Sequence, residues 1–238
     1  MTGVRDVTRK LFWEDAYIRE FSAIVEEIVD NRLVLDRTAF NPKGGGLPGD
    51  TGSLNGIRVS ETLKRADTIE HVVDDISSFS KGMEVNGLLD WDRRYRVMRM
   101  HTAAHALSAV FNREAGALIT GNKIDPAESR IDFSLESLDR DRMNEYIAIV
   151  NREILRNPDV RSYFMPRDEA MKIPSMVKLA GTAPPDVEQF RIVEIEGLDV
   201  QADGGVHVRS LGELREVVPL RFENKGKANR RIYFTLKD

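Results

Sequence analysis

Two histidines lie four positions apart in the stretch 93–111, a spacing at which their side chains can act together as metal ligands. The stretch predicts a helix, on which His101 and His105 share one face, one turn apart. Two imidazoles placed in this way can bind one metal ion. The chain has only four histidines. A pair alone is an incomplete metal site, however, and two rings packed or solvated by chance are the alternative.

A second pair of possible ligands lies about a hundred residues downstream. Asp203 and His207 are also four positions apart, and the Gly-Gly pair between them permits a tight bend. The two pairs together supply four nitrogen and oxygen ligands, which is the number that a zinc site needs. Thr102 follows His101, where the metalloprotease pattern His-Glu-x-x-His has its general base. A protease function is therefore disfavoured.

The composition is that of a globular protein, and 238 residues suit one large domain or two small ones. No stretch approaches the roughly 18 uninterrupted apolar residues of a membrane span, and the polar N-terminus does not resemble a signal peptide. The chain has no cysteine, which excludes disulfides, thiolate nucleophiles and thiolate ligands. These features favour the cytoplasm.

The net charge of −4 and the isoelectric point near 5.7 argue against binding nucleic acid through overall charge. Two local basic clusters remain, one at the start of the histidine helix and one near the C-terminus. A solvated charged face is the alternative for each. The clusters are Arg93, Arg94, Arg96 and Arg99, and Lys225, Lys227, Arg230 and Arg231.

Roughly the first 90 residues predict a small all-β unit that resembles a barrel. Residues 10–40 predict strands, with a hairpin turn at Asp30 and Asn31, and shorter strands are predicted at 54–59, 61–65 and 70–73. Between them, the segment 41–52 is rich in Gly and Pro and predicts a loop. Its triple glycine lets another molecule or another backbone approach closely, and a plain surface loop is the default. His71 is interpreted as structural or surface.

From residue 91 onward the sequence predicts alternating helix and strand. The predicted elements are a hairpin at 117–122 and 128–133, a helix at 139–155, strands at 160–166 and 191–195, a short helix at 167–170 and strands within 217–236. Helices on one face of a mainly antiparallel sheet, an α+β fold, are the simplest architecture. The predicted domains are a β-barrel-like unit, 1–90, and a metal-binding unit, 91–238.

Motifs along nearly the whole chain support a family resemblance. They are LVLDRTAF (33–40), DWDRRY (90–95), MRMHTAAH (98–105), TGN (120–122), SRIDF (129–133), GGVHVR (204–209) and ENKGKANRRIYF (223–234). The chain resembles medium-length members of the AlaX family, free-standing alanyl-tRNA editing proteins related to the editing domain of alanyl-tRNA synthetase. It departs from the family pattern at Asn41, Leu47, Asp203 and Val206, where the usual residues are Tyr, Gln, Cys and Thr.

The resemblance implies a trans-editing hydrolase that deacylates mischarged tRNA(Ala), chiefly Ser-tRNA(Ala) and in addition Gly-tRNA(Ala). It implies a zinc ion, and since Asp203 is a harder ligand than cysteine, another divalent metal is a second option. The implied metal ligands are His101, His105, Asp203 and His207, of which His101 and His105 are also the implied catalytic residues. The implied contacts with the aminoacyl adenosine are Thr38, Gly44, Gly45, Gly46 and Asn122. The implied contacts with tRNA phosphates are Arg93, Arg94, Lys225, Lys227, Arg230 and Arg231.

Two rival hypotheses stay open at this point. In the first, the loss of the cysteine has silenced the site, and the protein is a metal-poor, non-catalytic relative that binds tRNA. In the second, the protein is a hydrolase of a different aminoacyl ester. Metal content tests the first hypothesis, and a panel of mischarged tRNAs tests the second.

Overall fold

A computed structural model of the chain describes residues 8–173, 176 and 186–238. The chain divides into two compact units, the first ending at Val97 and the second running from Met98 to Asp238. The boundary predicted at 90/91 lies at the start of a helix that continues across the division between the units. Among the described residues, no helix is long and apolar enough to cross a membrane.

The first unit is built mainly from antiparallel strands. Its elements are β1 (Arg9–Lys10), α1 (Leu11–Glu14), β2 (Glu20–Val29), β3 (Arg32–Leu35), β4 (Arg37–Thr38), β5 (Gly52–Leu54), β6 (Ile57–Arg65), β7 (Thr68–Val73), β8 (Glu84–Leu89) and the start of α2 (Trp91–Ala115). Six strands close in the order β2-β3-β7-β6-β5-β8, and β1 pairs in parallel with β4. The closed strands surround apolar side chains such as Val25, Leu33 and Leu54, which are fully buried.

Two details of the first unit differ from the sequence predictions. Residues 11–14 form a short helix inside the region predicted as strands. The stretch 54–59 is not one strand, because Asn55 and Gly56 form the turn between β5 and β6, with φ angles of 49° and 82°. An Asn-Gly pair between two antiparallel strands favours a turn in which both central residues have positive φ.

The second unit combines helices with two antiparallel sheets. Its elements are the rest of α2, β9 (Ile119–Lys123), β10 (Ser129–Phe133), α3 (Arg140–Arg156), β11 (Val160–Pro166), α4 (Arg167–Ala170), β12 (Gln189–Ile195), β13 (Asp199–Ala202), a 3-10 turn (Leu211–Leu214), β14 (Val217–Asn224) and β15 (Arg230–Leu236). One sheet has the order β14-β15-β10-β9 and the other β11-β12-β13. The mixed α and β content and the mainly antiparallel pairing confirm the predicted fold class, with two sheets rather than one.

Aromatic packing fixes α2 in this unit. The ring of Phe111, near the end of α2, stacks on Phe133 of β10 at a centroid distance of 4.6 Å. It also meets Tyr146 of α3 edge-on at 5.1 Å. Helix α3 is itself well defined, because Asp139 caps its first turn by accepting a hydrogen bond from the backbone N–H of Arg142. These contacts hold α2 between β10 and α3.

Candidate metal centre

Helix α2 is buried around its whole circumference over residues 97–111. A helix buried on all sides suits apolar side chains, so the polar side chains in this stretch are exceptions that need partners. His101 and His105 are two of them, and their ring centroids lie 4.9 Å apart. The helix thus brings both rings to one place inside the second unit.

The loop that follows β13 carries the second pair of possible ligands. Asp203 Oδ1 accepts a hydrogen bond of 2.6 Å from the backbone N–H of Gly205, which closes a tight turn. The guanidinium of Arg191, on β12, donates to the carbonyl oxygens of Asp203 and Gly205, both at 3.0 Å. In the loop held by these bonds, the ring of His207 stacks on that of His101 with centroids 4.2 Å apart.

One ligand atom from each of His101, His105, Asp203 and His207 lies within 4.8 Å of all the others. His207 Nε2 is 3.2 Å from Asp203 Oδ1, and the Nε2 atoms of His101 and His105 are 3.6 and 3.8 Å from Asp203 Oδ2. With metal–ligand bonds of about 2.0–2.1 Å, tetrahedral geometry separates neighbouring ligand atoms by about 3.3 Å. The observed separations fit such a site.

In two of these histidines, the contact made by Nδ1 determines which ring nitrogen carries the hydrogen. His101 Nδ1 lies 3.3 Å from the carbonyl oxygen of Val206, which can only accept, so Nδ1 carries the hydrogen. His207 Nδ1 lies 3.0 Å from Thr102 Oγ1, and that hydroxyl donates its own proton to the carbonyl of Met98. Thr102 is therefore an acceptor for His207, and the Nε2 atoms of both histidines are left with lone pairs.

The ring of His105 is held by a carboxylate instead. Its Nδ1 lies 3.2 Å from Asp199 Oδ2. The amide of Gln201 donates to the same oxygen at 2.9 Å, and its nitrogen is 2.7 Å from His105 Nδ1. The carboxylate can only accept and the amide nitrogen can only donate, so Nδ1 of His105 donates to Asp199 when it carries a hydrogen and accepts from Gln201 when it does not.

With the Nδ1 protons of His101 and His207 directed outward, the Nε2 lone pairs of these two rings face the carboxylate of Asp203, which is itself an acceptor. Acceptors that face one another in a buried space repel, and a cation between them relieves the repulsion. Imidazole nitrogen and carboxylate oxygen are both ligands that divalent transition metals accept. The chemistry of this set therefore fits a divalent metal ion.

The protonation states of the cluster are coupled. Burial lowers the pKa of His101 to about 4, and burial together with the charge of His101 lowers the pKa of His207 well below its usual value. Burial also acts to lower the pKa of His105, but hydrogen bonds to Asp199 and Asp203 outweigh it and raise that pKa to about 9. Burial acts to raise the pKa of Asp203, yet the neighbouring histidines hold it well below its usual value. In the metal-free protein one proton on His105 thus offsets Asp203, and metal binding would displace it.

The cluster is more open at Asp203 than at its histidines. The side chain of Asp203 is 22% exposed, while those of the three histidines are 5–7% exposed. Asp203 is therefore the member of the cluster with the most exposure to solvent.

Sequence reasoning missed four residues that support this cluster, namely Thr102, Arg191, Asp199 and Gln201. A signal for two of them was present in the sequence, because Asp199, Gln201 and Asp203 recur every second residue. In a strand that period places side chains on one face, and Asp199 and Gln201 of β13 are indeed both buried. No local signal links Arg191 or Thr102 to the atoms that they bind.

Comparison with known proteins gives this geometry its context. The family described as the second additional domain of threonyl and alanyl tRNA synthetases matches residues 190–233, which include Asp203 and His207. The alanyl-tRNA editing protein AlaX-M of Saccharolobus solfataricus is 46% identical over 237 residues, covering 97% of this chain and 100% of that protein. AlaX-M of Methanosarcina acetivorans is 43% identical over 245 residues, covering 98% of this chain and 100% of its own.

The chain belongs to the AlaX family of alanyl-tRNA editing proteins.

The similarity of this AlaX chain extends to a synthetase. The alanine–tRNA ligase of Methanococcus maripaludis is 37% identical over 220 residues, which is 91% of this chain and 24% of the ligase. The AlaX chain therefore resembles about a quarter of a much longer enzyme.

The AlaX residues predicted to contact the aminoacyl adenosine differ in accessibility. Gly44 and Gly45 are exposed at a turn in which the backbone N–H of Leu47 bonds to the carbonyl oxygen of Gly44 at 2.9 Å. Gly45 and Gly46 have φ angles of 59° and 91°, which explains glycine at both positions. Asn122, on β9, is half-buried. These residues remain predictions.

Thr38 has a different environment from the other predicted substrate contacts. It is fully buried, and its hydroxyl lies 2.8 Å from His71 Nε2 and accepts from the backbone N–H of Phe40 at 3.1 Å. The hydroxyl therefore takes part in hydrogen bonds inside the first unit, and its contact with the substrate remains a prediction. His71, interpreted as structural or surface, is buried.

The predicted tRNA contacts also divide by burial. Lys225 and Lys227 are exposed in the β14–β15 turn, and Arg93 is half-buried, with Nη1 bonded to the carbonyl oxygen of Gly49 at 2.8 Å. Arg231 is mostly buried and paired with Asp132 at 2.6 Å. Lys225 pairs with Glu223 at 3.1 Å, so part of its charge is already compensated, while Lys227 is exposed.

Arg94 and Arg230 require a correction, because both are buried. Arg94 pairs with Asp50 and donates to the carbonyl oxygens of Ala16 and Ala39. Arg230 donates to backbone carbonyl oxygens, including those of Gly226 and Asn229 at 2.9 and 2.8 Å. A guanidinium committed to such partners cannot also neutralise a phosphate at the surface, so both arginines are structural.

Proposed function

We propose that this protein is a trans-editing hydrolase that cleaves the ester of mischarged tRNA(Ala), with Ser-tRNA(Ala) as its chief substrate and Gly-tRNA(Ala) as the second. The observation that carries the proposal is the convergence of three histidines and Asp203 in one buried cluster. Relatives named as alanyl-tRNA editing proteins match this chain over almost its whole length, which supports the same substrate class.

The need for such an enzyme follows from the limits of molecular recognition. A pocket that accepts alanine cannot strongly reject a side chain that merely adds a hydroxyl, nor can it exclude the smaller glycine. Errors of this kind are removed by a second site that hydrolyses the wrong ester. Partners of the protein are therefore mischarged tRNA(Ala) molecules, which it meets in the cytoplasm.

We propose zinc as the metal ion, held by His101, His105, Asp203 and His207. When bound, the ion would supply positive charge that polarises the ester carbonyl or promotes ionisation of a water molecule. A carboxylate oxygen is a harder ligand than the thiolate usual in the family, so we expect weaker zinc affinity and a wider tolerance for other divalent ions. Four protein ligands fill a tetrahedral site, so a second role, in which the site orients the substrate, remains part of the proposal.

The side chains of the cluster have separate tasks in this scheme. The three imidazoles present Nε2 lone pairs whose direction is set by their Nδ1 hydrogen bonds. Asp203 lies at the exposed side, where the ester would approach. Its Oδ1 is engaged by the backbone N–H of Gly205, which leaves Oδ2 as the more available oxygen. Asp203 is therefore the ligand that a substrate atom would most readily displace from the ion.

The exposed lysines Lys225 and Lys227 supply charge for tRNA phosphates, with Arg93 as a further candidate. Such contacts contribute affinity that depends on salt and do not read the nucleotide sequence. Discrimination between tRNA species must then come from other contacts with the acceptor end.

The deciding experiment combines metal analysis with deacylation. Purified protein of measured zinc content is incubated with Ser-tRNA(Ala), Gly-tRNA(Ala) and Ala-tRNA(Ala), and loss of each ester is followed over time. We expect rapid loss of the serine ester and persistence of the alanine ester. A sample depleted of metal by a chelator, and one reloaded with zinc, show whether the ion is required.

The other outcomes distinguish the rival functions. If every ester persists while zinc is bound, a wider panel of aminoacyl-tRNAs tests the hydrolase of a different ester. If every ester persists and no metal binds, the protein is a non-catalytic tRNA-binding relative.

A further inference from the structure

The three histidines of the cluster are not anchored in the same way. Nδ1 of His101 meets a backbone carbonyl oxygen, and Nδ1 of His207 meets the hydroxyl of Thr102. Both of these partners are neutral. Nδ1 of His105 meets the carboxylate of Asp199, so one ring of the three is paired with a negative charge.

The environment of Asp199 makes this contact significant. Its side chain has no exposed surface, and an ionised carboxylate in such a place needs strong compensation. Part of that compensation comes from Gln201, two residues along β13, whose amide donates to Asp199 Oδ2 at 2.9 Å. The strand therefore holds a negative charge behind His105, on the side of the ring opposite the other ligand atoms.

We propose that Asp199 is a positioning residue for the metal centre, which acts through His105. Its carboxylate accepts a hydrogen bond from Nδ1 of the metal-bound ring and thereby keeps the Nε2 lone pair directed at the ion. The negative charge also makes this Nε2 a stronger electron-pair donor to the ion than the Nε2 atoms of His101 and His207. The inference rests on the metal-dependent hydrolase proposed above. Gln201 assists by fixing the carboxylate of Asp199.

The expected size of the effect follows from similar outer contacts in other metal sites. A carboxylate that accepts from a metal-bound histidine typically changes metal affinity by about 10- to 100-fold. The same contact stabilises positive charge that the ring takes on when it donates to a cation. The effect should therefore be seen in metal binding itself, before any tRNA is added.

The experiment compares variants of the full chain by zinc competition against a chromophoric chelator and by the absorption spectrum of the Co²⁺-loaded protein. Asp199→Asn keeps an acceptor oxygen and removes the charge, while Asp199→Ala removes both. Asp132→Asn is the matched control, since Asp132 is a buried carboxylate of the same unit that pairs with Arg231. Thermal unfolding in chelator reports on the metal-free fold.

We expect zinc affinity to fall by about 10- to 100-fold in Asp199→Asn and by at least as much in Asp199→Ala, with an altered Co²⁺ spectrum in the alanine variant. The control should bind zinc like the unmodified protein. If the Asp199 variants do not fold, Gln201→Leu loosens the same anchor and should lower affinity by a smaller factor. An affinity within about twofold of the unmodified protein in the Asp199 variants, or in Gln201→Leu if only that variant folds, overturns the proposal, as does an equal loss in the control.

These results can be separated from the outcome for the proposed function. If the unmodified protein binds zinc and cleaves Ser-tRNA(Ala) while the Asp199 variants bind zinc equally well, the inference fails and the function stands. If the variants bind zinc weakly but no ester is cleaved by the unmodified protein, the inference stands and the function fails. If the unmodified protein binds neither zinc nor Co²⁺, the inference is overturned, whatever the deacylation assay shows.

Discussion

The histidine of the first unit and the three histidines of the second are alike in burial and differ in the use of one nitrogen. His71 donates from Nδ1 to the carbonyl oxygen of Leu33 at 3.1 Å, as His101 and His207 donate from theirs. Its Nε2, however, accepts from the hydroxyl of Thr38 at 2.8 Å. In the second unit the three Nε2 atoms face Asp203 instead. The partner of Nε2, rather than burial, therefore distinguishes a structural histidine from a candidate ligand.

Arg94, which is buried in the first unit, likewise finds its hydrogen-bond partners within that unit. Arg94 directs its N–H groups at Asp50 and at the carbonyl oxygens of Ala16 and Ala39. Donors and acceptors match within this network, which leaves nothing for a ligand to satisfy. In the cluster around Asp203, the single proton on His105 cannot satisfy the carboxylate and the Nε2 atoms of His101 and His207 at the same time. A buried polar network is therefore a candidate site where its hydrogen bonds fail to close.

The strongest test of this contrast replaces one histidine from each unit. His101→Ala removes a ligand, so zinc affinity should fall by more than about 100-fold, beyond the loss of an outer contact, and deacylation should be abolished. His71→Gln should keep one zinc ion per chain, because its ring nitrogens serve the first unit alone. Metal content after dialysis and the rate of serine ester loss measure both effects. Retained turnover in His101→Ala would remove the cluster from the mechanism.

Arg94→Met tests the closed network of the first unit. Breaking a buried ion pair leaves an uncompensated charge on Asp50, which should lower the free energy of unfolding by about 3–5 kcal/mol. Urea denaturation measures this loss, and the double variant with Asp50→Asn should recover part of it. If stability were unchanged and tRNA affinity fell, Arg94 would be a surface contact after all.

The dependence of stability on pH isolates His71. Burial lowers its pKa in the folded protein to about 4, against 6.5 for the exposed ring. As the pH falls below 6.5, the unfolded chain takes up the proton first, so stability is lost between pH 6.5 and pH 4. From pH 7 to pH 4.5, the unmodified protein should lose about 2–3 kcal/mol more than His71→Gln, as seen by urea denaturation in chelator. Equal losses would show that the ring accepts a proton in the folded state.

The smallest effect is expected for an exposed cation. Lys227→Gln should weaken tRNA binding by a few-fold and reduce the slope of log affinity against log salt by about one. Lys81→Gln, another exposed lysine, serves as the control and should leave the slope unchanged. A filter-binding series at several salt concentrations measures both. An unaltered slope in Lys227→Gln would place the tRNA elsewhere on the surface.

The sequence predicted the proximity of His101, His105, Asp203 and His207 because its signals are local. The pairs His101/His105 and Asp203/His207 each obey a fixed spacing, and a helix or a tight turn converts that spacing into proximity. The strands at 160–166, at 191–195 and within 217–236 were also predicted, whereas β13 (Asp199–Ala202) was not. The turn at Asn55 and Gly56 was also readable, but it was overlooked inside an apolar stretch.

Other features depend on contacts between distant positions. Arg94 belongs to a basic run, and nothing in that run shows that Asp50, 44 positions earlier, will take up its charge. The Arg191 contacts with the Gly-Gly loop and the Thr102 contact with His207 are likewise set by tertiary packing. Charge patterning identifies where cations lie along the chain, while their availability is decided by the fold.

The separation in sequence between the two halves of the cluster has a further consequence. His105 lies on α2 and Asp203 on the loop after β13, so a metal ion bound by both would close a ring of about a hundred residues. For a disulfide across such a ring, the chain-entropy treatment gives about 4.7 kcal/mol of stabilisation through the unfolded state. The chain contains no cysteine and therefore no disulfide. The ion would act as a cross-link instead, so loss of the metal would lower the stability of the second unit as well as abolish its activity.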